Sequence, residues 1–164
     1  MMLCLESLFI RMIFGGLHEV TACLFIRSSE RRALLLEYDA ELVNYRLEKA
    51  KDTLRDAEIL LEASRLDSAV NRIYYALFYA VIALLYTKGM SSAKHSGIRS
   101  LFNEQFVKTG KVDAELGRFY SRMFEFRQKS DYADYVEFEK EKVKEWFEKA
   151  KQFIKEIERV IETQ

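Results

Sequence analysis

Residues 69–86 read AVNRIYYALFYAVIALLY. Apolar side chains fall on nearly every face of this stretch at helical spacing, and a helix of that kind is buried among others. Four tyrosines and the Asn71–Arg72 pair lie within it, which argues against a membrane span. Ala76, Ala80 and Ala83, spaced four and three apart, leave room for a neighbouring helix to approach closely. Gly89 is placed to stop the helix.

Working outward, Leu47, Ala50, Leu54, Ala57 and Leu61 recur every three or four residues, with Glu48, Lys49, Lys51, Asp52, Arg55 and Asp56 opposite. That is an amphipathic helix preceding the central one. The polar break at 64–68 supplies capping residues between the two. Beyond the central helix, a third starts over residues 91–95 and carries Ile98, Leu101, Phe102 and Phe106 on its face; a turn follows at 108–111. A fourth turns Leu116, Phe119, Tyr120, Met123 and Phe126 inward, ends near 127–130 and gives way to a connector over 131–136. The last has an apolar stripe from Val143 through Trp146, Phe147, Ala150, Phe153, Ile154 and Ile157 to Ile161, and an exposed Glu145–Lys149 pair in i, i+4 order. The chain has no proline and six glycines, a supply of turn residues that suits long helices and short loops better than strands. The expectation is all-α: an up-and-down bundle of about five helices over residues 38–164.

Residues 1–37 read differently. Their apolar opening is broken by Glu6 and Arg11 and followed by Gly15-Gly16. It lacks the basic start and continuous apolar run of a signal peptide, and no charge-free run is long enough for a membrane span. Val20-Thr21-Ala22-Cys23 faintly resembles a lipoprotein cleavage box, but His18-Glu19 precede it. A loosely docked tail is expected here, with natural translation starting after Met1. The two cysteines, Cys4 and Cys23, both fall in this segment and make no disulfide framework, so the expected compartment is the cytoplasm. The 26 basic and 26 acidic residues balance. That excludes a broad electrostatic grip on nucleic acid and leaves room for a local site.

The chain contains no GxxxxGK, GxGxxG or GxSxG motif. His18 and His95 are far apart and neither has carboxylates or cysteines at ligand spacing, so no metal or cofactor is expected. Two polar groups remain. Asn71, Arg72, Tyr74, Tyr75 and Tyr79 lie on the central helix. Their plain reading pairs Arg72 with a carboxylate of a neighbouring helix and puts the tyrosine hydroxyls at the rim of the core; the other reading is a binding role. Arg127, Asp131, Tyr132, Asp134 and Tyr135 form the second group. Arg127 and Asp131 share a helix face if the helix reaches Asp131. The plain reading is an ion pair there, with Asp131 or Asp134 capping the next helix. An arginine at a helix end can instead hold a phosphate or stabilise a developing phosphorane charge.

The order Ser68-x-x-Asn71-Arg72-x-Tyr74-Tyr75-Ala76, Lys94-His95-Ser96-Gly97, Phe102 with Phe106-Val107-Lys108-Thr109-Gly110, then Arg127-x3-Asp131-Tyr132 resembles the HEPN domain family (higher eukaryotes and prokaryotes nucleotide-binding). It is most similar to the small stand-alone prokaryotic branch, over residues 38 to 162. The resemblance implies an all-α bundle and a homodimer. Many members are metal-independent ribonucleases in which an arginine is followed, after four to six residues, by a histidine, and the two protomers' motifs meet at the dimer interface. Arg127 matches that arginine, but Tyr132, Ala133 and Asp134 stand where the histidine would fall. Tyrosine, with an ordinary pKa near 10, is a poor base, although Tyr132 can donate to a phosphate. The resemblance therefore implies RNA or nucleotide binding through Arg127, Asp131, Tyr132, Arg72 and Asn71. A weak ribonuclease with a degenerate motif and a helical interaction module without chemistry are the alternatives. In a ribonuclease Arg127, Tyr132 and His95 would be the catalytic candidates, although the plain reading of His95 is a helix-start histidine bonded locally. Such proteins are often paired with a minimal nucleotidyltransferase in toxin–antitoxin modules, and Tyr132 or Tyr135 would be the tyrosine that the partner adenylylates.

Overall fold

The computed structural model describes residues 28–132 and 138–163, and the side chains of 40–129 and 138–163. The chain divides into two units, Met1–Tyr38 and Asp39–Gln164, and the second holds the features below. Among the described residues there are five α-helices and no strand: α1 (Ser28–Glu62), α2 (Leu66–Tyr86), α3 (His95–Phe102), α4 (Ala114–Tyr132) and α5 (Lys140–Glu162). One π-helical turn, Asn103–Val107, prolongs α3. Helix α1 begins at Ser28, earlier than the periodicity from Asp39 predicts, because residues 29–38 contain no glycine or proline to interrupt it.

Helix α2 is the centre of the bundle and packs against α3, α4 and α5. Its Ala76, Ala80 and Ala83 are fully buried, as are Ile73, Leu77, Val81, Leu84 and Leu85. By length and composition alone it could cross a membrane, but most of it is buried inside the bundle. Helix α1 lays Ala50, Leu54, Ala57 and Leu61 on the same core. Aromatic rings lock α3, α4 and α5 together: Phe102 meets Tyr120 edge-on at 5.5 Å and Phe153 at 5.9 Å.

Three helix ends close in one way. After α2, Gly89 takes φ +63° while Met90 N–H donates to Leu85 O and Gly89 N–H to Tyr86 O. After the π-helical turn, Gly110 takes φ +74° with the same two bonds, Lys111 to Phe106 and Gly110 to Val107. After α1 the left-handed position is held by Ser64, at φ +57°, with Arg65 bonded to Leu60 and Ser64 to Leu61. The 64–68 break is thus a C-terminal closure of α1. It gives α2 no side-chain cap, since Arg65 stands at that position without one.

The expected Glu145–Lys149 pair does not form. Glu145 accepts from Lys142 at 2.6 Å, and Lys149 reaches across to Glu115 of α4 at 3.2 Å. Trp146 is a packing residue as expected, half-buried and stacked on Phe126 at 4.5 Å.

Candidate functional site

Three helices converge on one ring. Tyr75 of α2 is half-buried, and Arg127 of α4 donates from Nη2 to its hydroxyl at 3.2 Å. The Arg127 guanidinium carbon lies 5.7 Å from the Tyr75 ring centre, and that of Arg72 lies 5.4 Å from the same centre. The tyrosine therefore sits against two guanidiniums, each favoured by the negative face of the ring. Arg72 also donates to Asn71 Oδ1 at 3.4 Å. Arg99 of α3 covers the Phe124 ring at 4.5 Å. Among the described residues neither Arg72 nor Arg99 makes an ion pair.

His95 opens α3 and lies in the same cluster. Its Nδ1 is 2.7 Å from the hydroxyl of Tyr74. Its ring is stacked on Phe78 at 4.2 Å with 6° between the planes, and Tyr75 meets it edge-on at 6.0 Å. Tyr74 is fully buried and stacks in turn on Tyr120, also fully buried, at 6.2 Å. Burial, and then the charge of Arg127, lower the pKa of His95 below its ordinary value of 6.5. Burial raises the Tyr74 and Tyr120 phenols above theirs. At neutral pH the cluster thus holds neutral tyrosines and a neutral imidazole beside a permanent guanidinium charge.

The fold brings together Asn71, Arg72, His95 and Arg127. It departs from three expectations. Arg72 has a carboxamide and a ring for partners where a carboxylate was expected. His95 does start a helix, but its bond runs to Tyr74, 21 residues away, since the packing of α3 on α2 puts its ring among the tyrosines. Tyr74 has its hydroxyl inside the core, where His95 supplies the polar partner that a rim position would have taken from water.

Helix α4 continues through Tyr132, so Asp131 and Tyr132 belong to its last turn and Arg127 precedes that turn. The side chains of Asp131 and Tyr132, and all of Asp134 and Tyr135, lie outside the described residues. The residue before α5 is Glu139, with no side-chain cap. Phe78, Arg99 and Tyr120 are site residues that the sequence reading passes over. Tyr120 lies two helical turns before Arg127 and Phe78 one turn after Tyr74, a spacing that places each on the face of a residue already singled out. Among the described residues no group of His, Cys, Asp and Glu could hold a metal ion.

The model of the HEPN domain matches residues 43–160. A UPF0332 protein of Thermotoga maritima is 56% identical over 122 residues, covering 74% of this chain and 92% of the relative. A Methanocaldococcus jannaschii protein named "Putative toxin MJ0142" is 36% identical over 126 residues, covering 77% of this chain and 85% of its own length. A second protein of that organism, named "Putative toxin MJ0605", is 36% identical over 101 residues, 62% of this chain and 75% of the relative.

Proposed function

From the premise that this chain belongs to the HEPN domain family, we propose that it is a toxin-like subunit that binds RNA or nucleotide through Arg127. The observation that carries this is the Tyr75 ring held against Arg127 and Arg72. A guanidinium presents a planar fork that fits a phosphate, and half-buried tyrosines offer faces on which bases stack. The Arg127 fork is pre-aimed by the Tyr75 hydroxyl, which lowers the ordering cost of binding. Asn71 extends the polar edge, and Asp131 and Tyr132 follow Arg127 by one turn of α4.

The working unit is a homodimer in the cytoplasm. Tyr75, Phe78, Tyr79, Ile82 and Tyr86 make a half-buried stripe along α2, a face that a second copy would cover. Tyr75 belongs both to this stripe and to the site, so dimerisation would bring two Arg127 clusters close together. A minimal nucleotidyltransferase is the proposed partner, with Tyr132 or Tyr135 as the tyrosine it modifies.

The test is fluorescence anisotropy with a short single-stranded RNA and with ATP, for the wild type and Arg127→Ala, alongside thermal melts. Loss of a charge-assisted contact should weaken binding by about tenfold or more while the variant still melts cooperatively. Equal affinity in the two proteins, or no binding by either, would overturn the proposal. A loss of melting temperature without a binding defect would favour a purely structural role for Arg127.

A further inference from the structure

We infer that Tyr45, Arg46 and Lys49 of α1, gathered around Tyr79 of α2, form a second cation–aromatic cluster that continues the Tyr75 site and makes its ligand a single strand of nucleic acid, not a free nucleotide. The inference rests on the Arg127 reading above and deepens it.

Tyr45 and Lys49 are four residues apart on α1, and Arg46 and Lys49 three, so the three side chains share a face. The Arg46 guanidinium carbon lies 5.6 Å from the Tyr45 ring centre and 5.9 Å from that of Tyr79. Lys49 Nζ lies 6.0 Å and 5.5 Å from the same two centres. Two cations thus address the same two rings. Among the described residues neither forms an ion pair, and the neighbouring acids of α1 are engaged elsewhere, Glu48 with Lys51 and Asp52 with Arg55. Arg46 Nε is buried without a hydrogen-bond partner, so the rings are what hold this guanidinium. Like charges one turn apart on a helix repel, and cation–ring attraction at partly exposed sites is modest. Folding alone gains little from the arrangement. Tyr45 is also 56% exposed, which leaves ring surface on which a base can stack.

The second observation is continuity. Tyr75 and Tyr79 are one turn apart on α2, with ring centres 6.3 Å apart. The Tyr75 ring carries Arg127 and Arg72, and the Tyr79 ring carries Arg46 and Lys49. Two neighbouring tyrosines therefore hold two cations each. A mononucleotide has one base and one run of phosphates, and fills one such unit. A strand repeats base and phosphate at every nucleotide and matches the repeat. A duplex keeps its bases paired and stacked within, and offers no free face to Tyr45. Tyr79 belongs to the α2 stripe assigned above to a second copy, whereas Tyr45, Arg46 and Lys49 stand on α1, so the strand would run on from the Tyr75 site along α1.

The test is fluorescence anisotropy with the full chain, using a single-stranded RNA of about 12 nucleotides, a DNA of the same sequence, the RNA duplex and ATP, each over a range of salt. The two strands tell which polymer the site prefers. Tyr45→Ala should weaken binding of the preferred strand by about tenfold. The double variant Arg46→Gln/Lys49→Gln should reduce the slope of log affinity against log salt by about 1.4, two single-strand phosphates' worth. Both should still melt cooperatively, keep the oligomeric state of the wild type and leave affinity for ATP within about twofold. Wild-type strand affinity and salt slope in both variants, with binding lost in Arg127→Ala, would overturn the inference and spare the Arg127 reading. A wild type that binds ATP as tightly as either strand, or a Tyr45→Ala effect equal on strand and duplex, would also overturn it. A changed oligomeric state in both variants would assign the cluster to a subunit interface instead. No binding of strand or ATP by the wild type would overturn the Arg127 reading and the inference together.

Discussion

Tyr74→Phe tests the buried hydroxyl pair directly, without any ligand. The change removes a hydrogen bond of 2.7 Å to His95 and keeps the ring packed against Tyr120, Phe78 and Phe124. The lost bond is worth about 1 kcal/mol net, because half-buried His95 can recover water at Nδ1. The Tyr120 hydroxyl makes no hydrogen bond before the change, so losing the oxygen it faces adds little. A loss of about 1 kcal/mol corresponds to a drop of about 4 °C in melting temperature for a unit of this size. Tyr120→Phe alone should change stability by less than about 0.5 kcal/mol, since its hydroxyl has no partner to lose. The double variant should therefore show the sum of the two single changes. Urea denaturation and circular-dichroism melts of the four proteins complete the cycle. A Tyr74→Phe protein that melts within about 1 °C of wild type, or a double variant that recovers the stability lost by Tyr74→Phe, would refute the idea that the bond to His95 is what the Tyr74 hydroxyl contributes.

Two further outcomes are expected. Ser64→Gly should stabilise the chain by about 0.5 kcal/mol, because relief of left-handed strain outweighs the greater unfolded freedom of glycine; Gly89 and Gly110 already fill the equivalent place in two other closures. The exposed Lys140–Ser64 hydrogen bond lost with it contributes little, so a lower urea midpoint in this variant would contradict the strain argument. The second concerns pH. His95 has a lowered pKa in the folded state, through burial first and Arg127 second, so just below its ordinary value of 6.5 the unfolded chain binds the extra proton. Stability from this group is complete above that pH and declines as the pH falls toward the folded value. Urea midpoints measured from about pH 8 to 5 should fall in the wild type and fall less in His95→Gln. An equal slope in both would remove His95 as the cause.

The fold was legible because α2 repeats its signal on every face. Ala83 and Leu85 lie on nearly opposite faces and could not both be buried on a helix at the edge, and Ala76, Ala80 and Ala83 mark where neighbours approach. The α5 stripe and Gly89 were equally explicit, since each depends on local periodicity or on one residue's backbone freedom. Details that depend on three-dimensional competition were not legible. Lys149 could reach Glu145 or Glu115, and only the packing of α5 beside α4 decides for Glu115. The π-helical turn at Asn103–Val107 has no local marker. The site was legible as an inventory and not as a constellation. Arg127 and Arg72 were conspicuous for being charged next to apolar runs. That His95 would bond to Tyr74 could not be read from sequence, because the pair is joined by the angle between α2 and α3 and by nothing in their spacing.

Among the described residues Arg72 and Arg99 make no ion pair, and that is informative too. Acidic and basic residues balance over the whole chain, yet the recorded ion pairs lie elsewhere, on exposed helix surfaces such as Lys142–Glu145, Lys144–Glu141 and Arg159–Glu156. Such pairs contribute little to stability. Half-buried guanidiniums beside a lowered-pKa histidine add repulsion and desolvation, and apolar side chains of similar size would serve folding at least as well. A purely structural role returns only the attraction between each guanidinium and the ring it covers, Tyr75 for Arg72 and Phe124 for Arg99. A bound anion would add a second return by neutralising the arginines. The free protein then carries the strain, and the complex is stabilised by its removal. The same charge distribution that makes the empty site less stable would make its affinity fall steeply with salt, which ties the electrostatics of folding and of binding to one set of side chains.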